Sequence, residues 1–550
     1  MTHSNPRPMN RVLITILSIS ISVTPSVAFV SSFSAPLSNI LAKAPSPPLL
    51  DTIPIAIHVI HTGTPIGSAD NPSDSLIYAL INLMNDAFQL DGPNYGGADI
   101  GLAFQLASRS PDCMTTTGIN RMDGSSIPDY ASGGITTDTF YNPNSAHEIF
   151  VKSLSRWPNT DYLNIWIVNT IDGNPTWPGG YAYFPEYNSA LTDGIVLRAS
   201  VVNGTNKTIL HELGHYFNLL HTFGNVWDAC IPETNCTSDG DLICDTENCM
   251  YAFDCSSVTN PCTEEEWIIV DTEHEYTVLN NYMGYTDCQW MFTEDQKTRM
   301  HDALNTFRPS LLSSHALDTS SSAYVVPACI PTAVNGLSPY YGIQRVEIGS
   351  LNVYSGSSLA DGSFYLDRTC NQYLEVAAGD SIPMRITCSY ENWAQVKIFL
   401  DLNNDGVFTS PGELMISGDG GFIEDTLVVP LQIDMCVPLR LRIVADHPAA
   451  PPPTACLLSG TPAEGVGQIE DYALIVQPRY VESVASGDWD NPASWSCNCI
   501  PSSGDFVYIQ SGDTINITPQ MGLVTCADVH LEPGALLQLD GEMHVAGGCY

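Results

Sequence analysis

The chain has 550 residues, and its 60 acidic side chains against 19 Lys and Arg give a formal net charge of −41. A surface of that sign repels polyanions, which argues against nucleic acid and anionic membrane surfaces as partners. Hydrophobic residues make up 44% and charged ones only 14%, a composition that folds, and a chain this long divides into several cores.

Residues 1–28 read as a signal peptide. Arg7 and Arg11 precede an apolar stretch from Val12 to Val23, and Ser26-Val27-Ala28 offers small residues for cleavage. Thr15, Ser18, Ser20 and Ser22 interrupt the stretch and Pro25 ends it, so it is too short to span a bilayer. No later segment is apolar and long enough to cross one. The expectation is a secreted, extracellular or cell-surface attached protein, in which seventeen cysteines can form disulfides with at least one left over. Residues 29–50, with Pro36, Pro45, Pro47 and Pro48, read as a linker or short pro-segment.

Order is expected from about residue 51. Ile53 to Ile60 has the pattern of a buried strand, and Asp74 to Leu90 repeats apolar residues at helical spacing behind Ser73 or Asp74 as a cap. Leu163 to Val168 is a second strand, Gly180 to Phe184 and Gly194 to Leu197 are short extended segments, and Asn203 to Leu220 returns to a helical pattern. Thr293 to Phe307 predicts a capped closing helix. Strand, helix and strand leading into one helix is an α/β (α+β) layout for a catalytic domain over residues 51–312, followed by a linker at 313–328. Residues 329–477 are rich in β-branched, Gly and Pro residues with alternating runs such as Val396 to Leu400 and Leu439 to Val444, which predicts an all-β accessory module. Residues 481–550 form a third, β-rich segment in which no clean repeat is visible.

The chemistry concentrates at His211-Glu212-Leu213-Gly214-His215. On a helix the two imidazoles lie one turn apart on one face and can grip a single cation. A zinc ion held by neutral imidazoles keeps an open position for water, and the adjacent Glu212 can act as general base, which points to metal-assisted hydrolysis of an amide. A chance occurrence of the pentapeptide is the competing reading. His221, six residues after His215, stands where a third ligand belongs if the helix stops between them, and Asn218 is placed to stop it.

The longer stretch resembles the metzincin zinc peptidases, whose pattern HExxHxxGxxH carries Gly where this chain has Asn218, the residue next most tolerant of positive φ. Asn281-Tyr282-Met283-Gly284-Tyr285 resembles their Met-turn, and the resemblance implies that Met283 packs beneath the metal and that Tyr285 hydrogen-bonds the developing oxyanion. HELGHYFNLLHTFG, Cys244-Asp245-Thr246 and NYMGYTDCQWMFTEDQKTRM together resemble the pappalysin-type metzincins over about Ile53 to Phe307. This implies a metzincin-like, two-lobed domain with a horizontal cleft, the active-site helix above and Met283 below, and Gly180 to Phe184 as the edge strand that aligns an extended substrate.

Cys230, Cys236, Cys244, Cys249, Cys255, Cys262 and Cys288 follow the third histidine, and their spacing favours disulfides over zinc knuckles while leaving the connectivity open. Asp239, Asp241 and Asp245 crowd the same region. Relatives of this type hold calcium near the Asp-Thr pair, and solvated surface acids are the competing reading. Asp401, Asn403 and Asp405 alternate oxygen donors ahead of Gly406, as the first half of a calcium loop does, although Glu413 arrives one residue late for the EF-hand spacing and an Asx-rich turn competes.

Gly467-Gln468-Ile469-Glu470-Asp471-Tyr472 closes a region that resembles the GEVED-type β-sandwich modules of secreted bacterial peptidases, with Gln468 departing from the motif. Gly487-Asp488-Trp489 and Ala493-Ser494-Trp495, ahead of Ile500-Pro501, resemble the opening of a parallel β-helix of the adhesin sort, with room for only a few rungs. The expected function is a secreted zinc endopeptidase acting on a protein or peptide substrate, with calcium as a second candidate cofactor and an extracellular or cell-surface ligand for the β modules. The alternative is a surface adhesin whose peptidase-like domain is inactive.

Overall fold

The computed structural model describes residues 51–545 except 90–96, 188, 225–228, 231–233, 253, 269–276, 320–324, 431, 432 and 434. The expected signal peptide and the linker at 29–50 lie outside the described residues. The described residues up to Gln477 form one compact unit and those from Pro478 a second.

Uninterrupted apolar runs build the first sheet. Asp51–His61 (β1) is buried from Ile53 to Ile60 and pairs in parallel with Leu102–Leu106 (β2) and then Ile119–Asp123 (β3) along one side. On its other side it meets Leu163–Val168 (β4), buried throughout. Gly180–Ala182 (β5) lies antiparallel to Ile195–Arg198 (β6), which is itself parallel to β4. The order is therefore β2-β1-β4-β6-β5, with the antiparallel strand at the edge. A parallel sheet is covered on both faces, which is why its strands lack polar alternation.

Asp74–Phe88 (α1) buries Ile77, Leu80, Ile81 and Met84 on one face of this sheet, in a core shared with Ile209, Leu213, Met283 and Met300. Glu148–Lys152 (α2) covers the other face, where Val151 joins Ile60, Tyr130 and Trp166. Thr208–Tyr216 (α3) is shorter than the periodicity predicts. Its start is delayed because Asn203 Oδ1 accepts the amides of Thr205 (2.9 Å) and Asn206 (2.7 Å), a local turn that competes with helix. Glu294–Phe307 (α4) opens with a capping box between Thr293 and Gln296. It ends at Arg308, whose buried guanidinium pairs with Asp193 and stacks 3.8 Å from the Tyr216 ring centroid.

Further along the same unit, the strands Leu351–Tyr354, Ile343–Ile348, Ser381–Cys388 and Phe422–Val428 form an antiparallel sheet in that spatial order. It shares a core with a six-stranded sheet in which Pro438–Asp446 and Gln468–Gln477 are central and Ala394–Leu400 (β7) and Leu414–Gly420 (β8) form the outer hairpin. The Gly-Gln-Ile-Glu-Asp-Tyr motif opens strand Gln468–Gln477. Its Asp471 carboxylate meets Arg440 and, at 2.7 Å, Arg442, while Glu470 meets Arg368 at 3.3 Å, all of them buried. Gly467 cannot carry a side chain, because a Cβ there would lie 1.9 Å from the Ala445 carbonyl oxygen.

This β region docks directly on the first sheet's domain. Arg368 donates to Thr160 Oγ1 at 2.5 Å, Gln372 to Asp161 Oδ1 at 2.8 Å, and Asn371 to the Tyr162 hydroxyl at 2.7 Å. Cys113 and Cys370 are joined across the same contact. Within the segment expected as a connector, the Ala316 carbonyl accepts the amides of Ser108 and Arg109.

In the unit from Pro478, strands stack in parallel columns: Arg479–Glu482, Asp505–Ile509 and Asp528–Leu531 in one, Gly487–Asp488, Thr514–Ile517 and Leu536–Leu539 in another. Trp489, Trp495, Val507 and Ile515 fill the space between them. The paired positions are offset by unequal lengths of chain, Arg479 with Asp505 but Phe506 with Asp528, which explains why no repeat is legible in the sequence.

Candidate active site

Helix α3 places His211 and His215 one turn apart, and both are buried. The helix ends at Phe217, and Asn218 turns the chain with φ +75°. The turn is fixed from both sides, since the Leu219 amide donates to Gly214 O at 2.8 Å and Arg299 Nε donates to Asn218 O at 2.7 Å. The reversal brings His221 back onto His215. Their Nε2 atoms are 3.1 Å apart, as are those of His215 and His211.

Three imidazole nitrogens thus face one point. His211 Nδ1–H donates to Tyr282 O and His215 Nδ1–H to Leu219 O, both at 2.8 Å, so the Nε2 atoms keep their lone pairs toward that point. Burial, reinforced by the neighbouring imidazoles, lowers the pKa of His211 well below the usual value; burial lowers that of His215 to about 4, and burial with the His215 ring lowers that of His221 to about 3. All three are neutral near pH 7. Glu212 projects from the same helix and is buried, and burial alone raises its pKa to about 8. Neutral lone pairs converging beside a buried carboxylate are a donor set that fits a divalent cation, whose charge would favour the ionised form of Glu212.

The turn Asn281–Gly284 closes the site from below. Asn281 Oδ1 accepts the Met283 amide at 2.9 Å, and Asn281 is held in turn by Gln296 of α4 at 2.8 Å. Met283 is fully buried against α3, and its carbonyl accepts the Thr222 amide at 3.3 Å, tying the turn to the His221 segment. Tyr285 places its hydroxyl 3.1 Å from His221 Nε2, and burial followed by the charge of Glu212 raises its pKa to about 12, so it is a hydrogen-bond donor.

A cleft of about 430 Å³ runs past these groups, lined by His211, Glu212 and Tyr285 together with Trp177, Gly180 and Lys207. Gly180, on the edge strand, has no room for a side chain: a Cβ would lie 2.7 Å from Val196 O and 3.2 Å from Glu212 Cγ. The edge strand therefore approaches the carboxylate as closely as backbone can.

Support for that strand was not foreseen from the sequence. Tyr181 and Tyr183 both donate to Glu148, which pairs with the buried Lys152 at 2.6 Å. The only sequence signal was the i, i+4 Glu and Lys spacing in α2. In the segment after His221, Cys230 pairs with Cys262, Cys236 with Cys244 and Cys255 with Cys288.

The structure does not bring Asp239, Asp241 and Asp245 together. Asp239 accepts from Thr234 and Asn235, Asp241 from Thr246 and the Ile243 amide, and Asp245 from the Asp295 amide at the start of α4. Asp401 and Asp405 do lie together, with Glu413 as the third member. Asn403 instead donates to Asp405 Oδ2 at 2.9 Å.

Residues 146–305 match the peptidase family described as Pregnancy-associated plasma protein-A. An extracellular metalloprotease of Colletotrichum graminicola is 26% identical over 272 residues, covering 47% of this chain and 77% of that protein. Pappalysin-1 of Mus musculus is 29% identical over 185 residues, 30% of this chain and 11% of its own length. Mature mirolysin of Tannerella forsythia aligns with a TM-score of 0.38 at 26% identity, covering 48% of this chain and 95% of that one. The match of residues 146–305 spans the three histidines, Glu212 and the Met283 turn, and it makes the chain a metalloendopeptidase with a pappalysin-type metzincin domain.

Proposed function

We propose that this chain is a secreted zinc endopeptidase in which His211, His215 and His221 hold the metal, Glu212 is the general base and Tyr285 assists the oxyanion. The observation that carries the reading is that the Nε2 atoms of His211 and His221 each lie 3.1 Å from that of His215, beside a buried carboxylate. Zinc, when bound, supplies a Lewis acid that lowers the pKa of water and polarises a peptide carbonyl. Glu212 accepts the proton of the attacking water and returns it to the departing amine. Tyr285 donates to the carbonyl oxygen as negative charge grows there. The edge strand β5 offers backbone groups to an extended peptide, which the Glu148, Tyr181 and Tyr183 contacts hold in register with Glu212. In this reading residues 51–312 are the two-lobed catalytic domain, and residues 329–477 and 481–550 are accessory β modules, a sandwich and a short β-helix, that act outside the cell.

Two measurements on the purified protein test the proposal. Metal analysis should find about one zinc per chain, lost in His215→Ala. A peptide library should be cleaved, cleavage should stop with a chelator and return with zinc, and Glu212→Gln should keep the zinc while losing roughly 10²- to 10⁴-fold in rate. A zinc-loaded wild type that cleaves nothing would favour the inactive adhesin instead, and a Glu212→Gln enzyme of wild-type rate would remove the general-base role.

A further inference from the structure

The loop between β7 and β8 begins at Asp401 and ends at Glu413, and the Leu400 amide donates to Glu413 O at 2.9 Å across its neck. Both side chains are fully buried, 0% exposed, inside a loop whose Asp405 is exposed. One carboxylate oxygen from each of Asp401, Asp405 and Glu413 lies within 4.8 Å of the other two. The backbone satisfies part of this set: Asp401 accepts the amides of Asp405 at 3.1 Å and Gly406 at 2.8 Å, and Glu413 Oε2 accepts the Ser410 amide at 2.7 Å. Glu413 Oε1, equally buried, has no hydrogen-bond partner.

That oxygen stands out against the rest of the unit. Buried Glu148 meets Lys152, Asp193 meets Arg308, Glu470 meets Arg368, and Asp471 meets Arg440 and Arg442. Among the described residues no Lys or Arg forms an ion pair with Asp401, Asp405 or Glu413. A buried carboxylate oxygen left without a donor is costly, and three carboxylates gathered without a base repel one another.

We infer that Asp401, Asp405 and Glu413 form a calcium site that pins the two ends of this loop together. The donors are all hard oxygens, with neither nitrogen nor sulfur, which suits calcium over zinc or copper. Loop closure brings Glu413 in from the far end despite its late position relative to the EF-hand spacing, because the loop joins two paired strands rather than two helices. Asn403, at the intervening position, braces Asp405 through its amide nitrogen.

Equilibrium dialysis of the full-length protein against radioactive calcium, after EGTA treatment and with zinc supplied, tests the site directly. Wild type should bind one more calcium per chain than Glu413→Gln, which keeps the shape and removes the charge. Asp405→Asn, a change at an exposed position that does not endanger folding, should weaken the same binding by about tenfold or more, because ligand charge sets affinity. Zinc content should be equal in all three proteins. Failure of wild type to take up calcium, or equal uptake and affinity in wild type and Asp405→Asn, would overturn the inference even if Glu413→Gln failed to fold.

Discussion

Met283 lies directly beneath Gly214: a Cβ built on Gly214 would meet the Met283 sulfur at 2.1 Å. The glycine between Glu212 and His215 is thus set by packing against the turn, and the turn reaches the metal-facing histidines through a contact that tolerates no added atom. Gly214→Ala must displace the buried Met283 side chain, and with it α3 or the turn where that side chain has no other room, an overpacking that costs about 1–3 kcal/mol. A lower melting temperature and weaker zinc retention are expected, read by thermal unfolding with and without added zinc. An unchanged melting temperature together with unchanged zinc content would show that the turn is free to move away.

Tyr285→Phe removes one hydroxyl at 3.1 Å from His221 Nε2 and leaves the imidazoles in place. Zinc content should be retained and kcat should fall by roughly 10- to 100-fold, less than for loss of the base, because in the proposed mechanism the metal would still polarise the carbonyl. Loss of zinc in this variant would make the tyrosine a structural support of His221 instead.

The parts that were legible in the sequence are those in which a local pattern decides the outcome. Continuous Ile and Val runs gave β1 and β4, a capping Thr293 gave the start of α4, and Asn218 was recognisable as a residue that accepts positive φ. What escaped notice depends on chain segments far apart. Glu148 is drawn to Tyr181 and Tyr183 by the sheet, and Arg368 reaches Thr160 across more than two hundred residues. Asp239, Asp241 and Asp245 are close in sequence, yet each carboxylate accepts from different local donors.

The Glu470 and Arg368 pair predicts how two parts of the one compact unit, the β region and the first sheet with its helices, depend on each other. Arg368 is buried, pairs with Glu470 and reaches Thr160 of the catalytic side, so Glu470→Gln leaves a buried guanidinium short of charge. A loss of about 3 kcal/mol or more in unfolding free energy is expected, as when one member of a buried pair is removed. Denaturant unfolding followed by tryptophan fluorescence measures it, and cleavage at 25 °C should persist, since no cleft residue is touched. A midpoint equal to wild type would show that the hydrogen bonds Arg368 donates to Thr160 and, at 2.6 Å, to Ser355 Oγ suffice for it.

His58 supplies a pH dependence that belongs to the fold and not to the cleft. Its ring is fully buried, stacked 5.2 Å from Trp166, with Nε2–H donating to Asn164 Oδ1 at 2.8 Å. Asn120 Nδ2 lies 3.5 Å from the other ring nitrogen, so a second ring proton would face a donor. Burial lowers the pKa from 6.5 to about 4, and the Asn164 bond offsets only part of that. The folded state therefore resists a proton that the unfolded chain accepts, so stability is intact above pH 6.5 and falls as the pH drops from there toward 4. Between pH 7 and 5 this one group should cost on the order of 2 kcal/mol, at 1.36 kcal/mol per pH unit below 6.5. His58→Gln lacks the titration, and although it is less stable at pH 7, its loss between pH 7 and 5 should be smaller than that of wild type by this amount. Comparing the two slopes removes the contributions of every other titrating group, the three cleft histidines included. Parallel pH profiles for wild type and His58→Gln would mean that His58 takes up its proton at an ordinary pH, and that the packing around Trp166 yields to admit the charge.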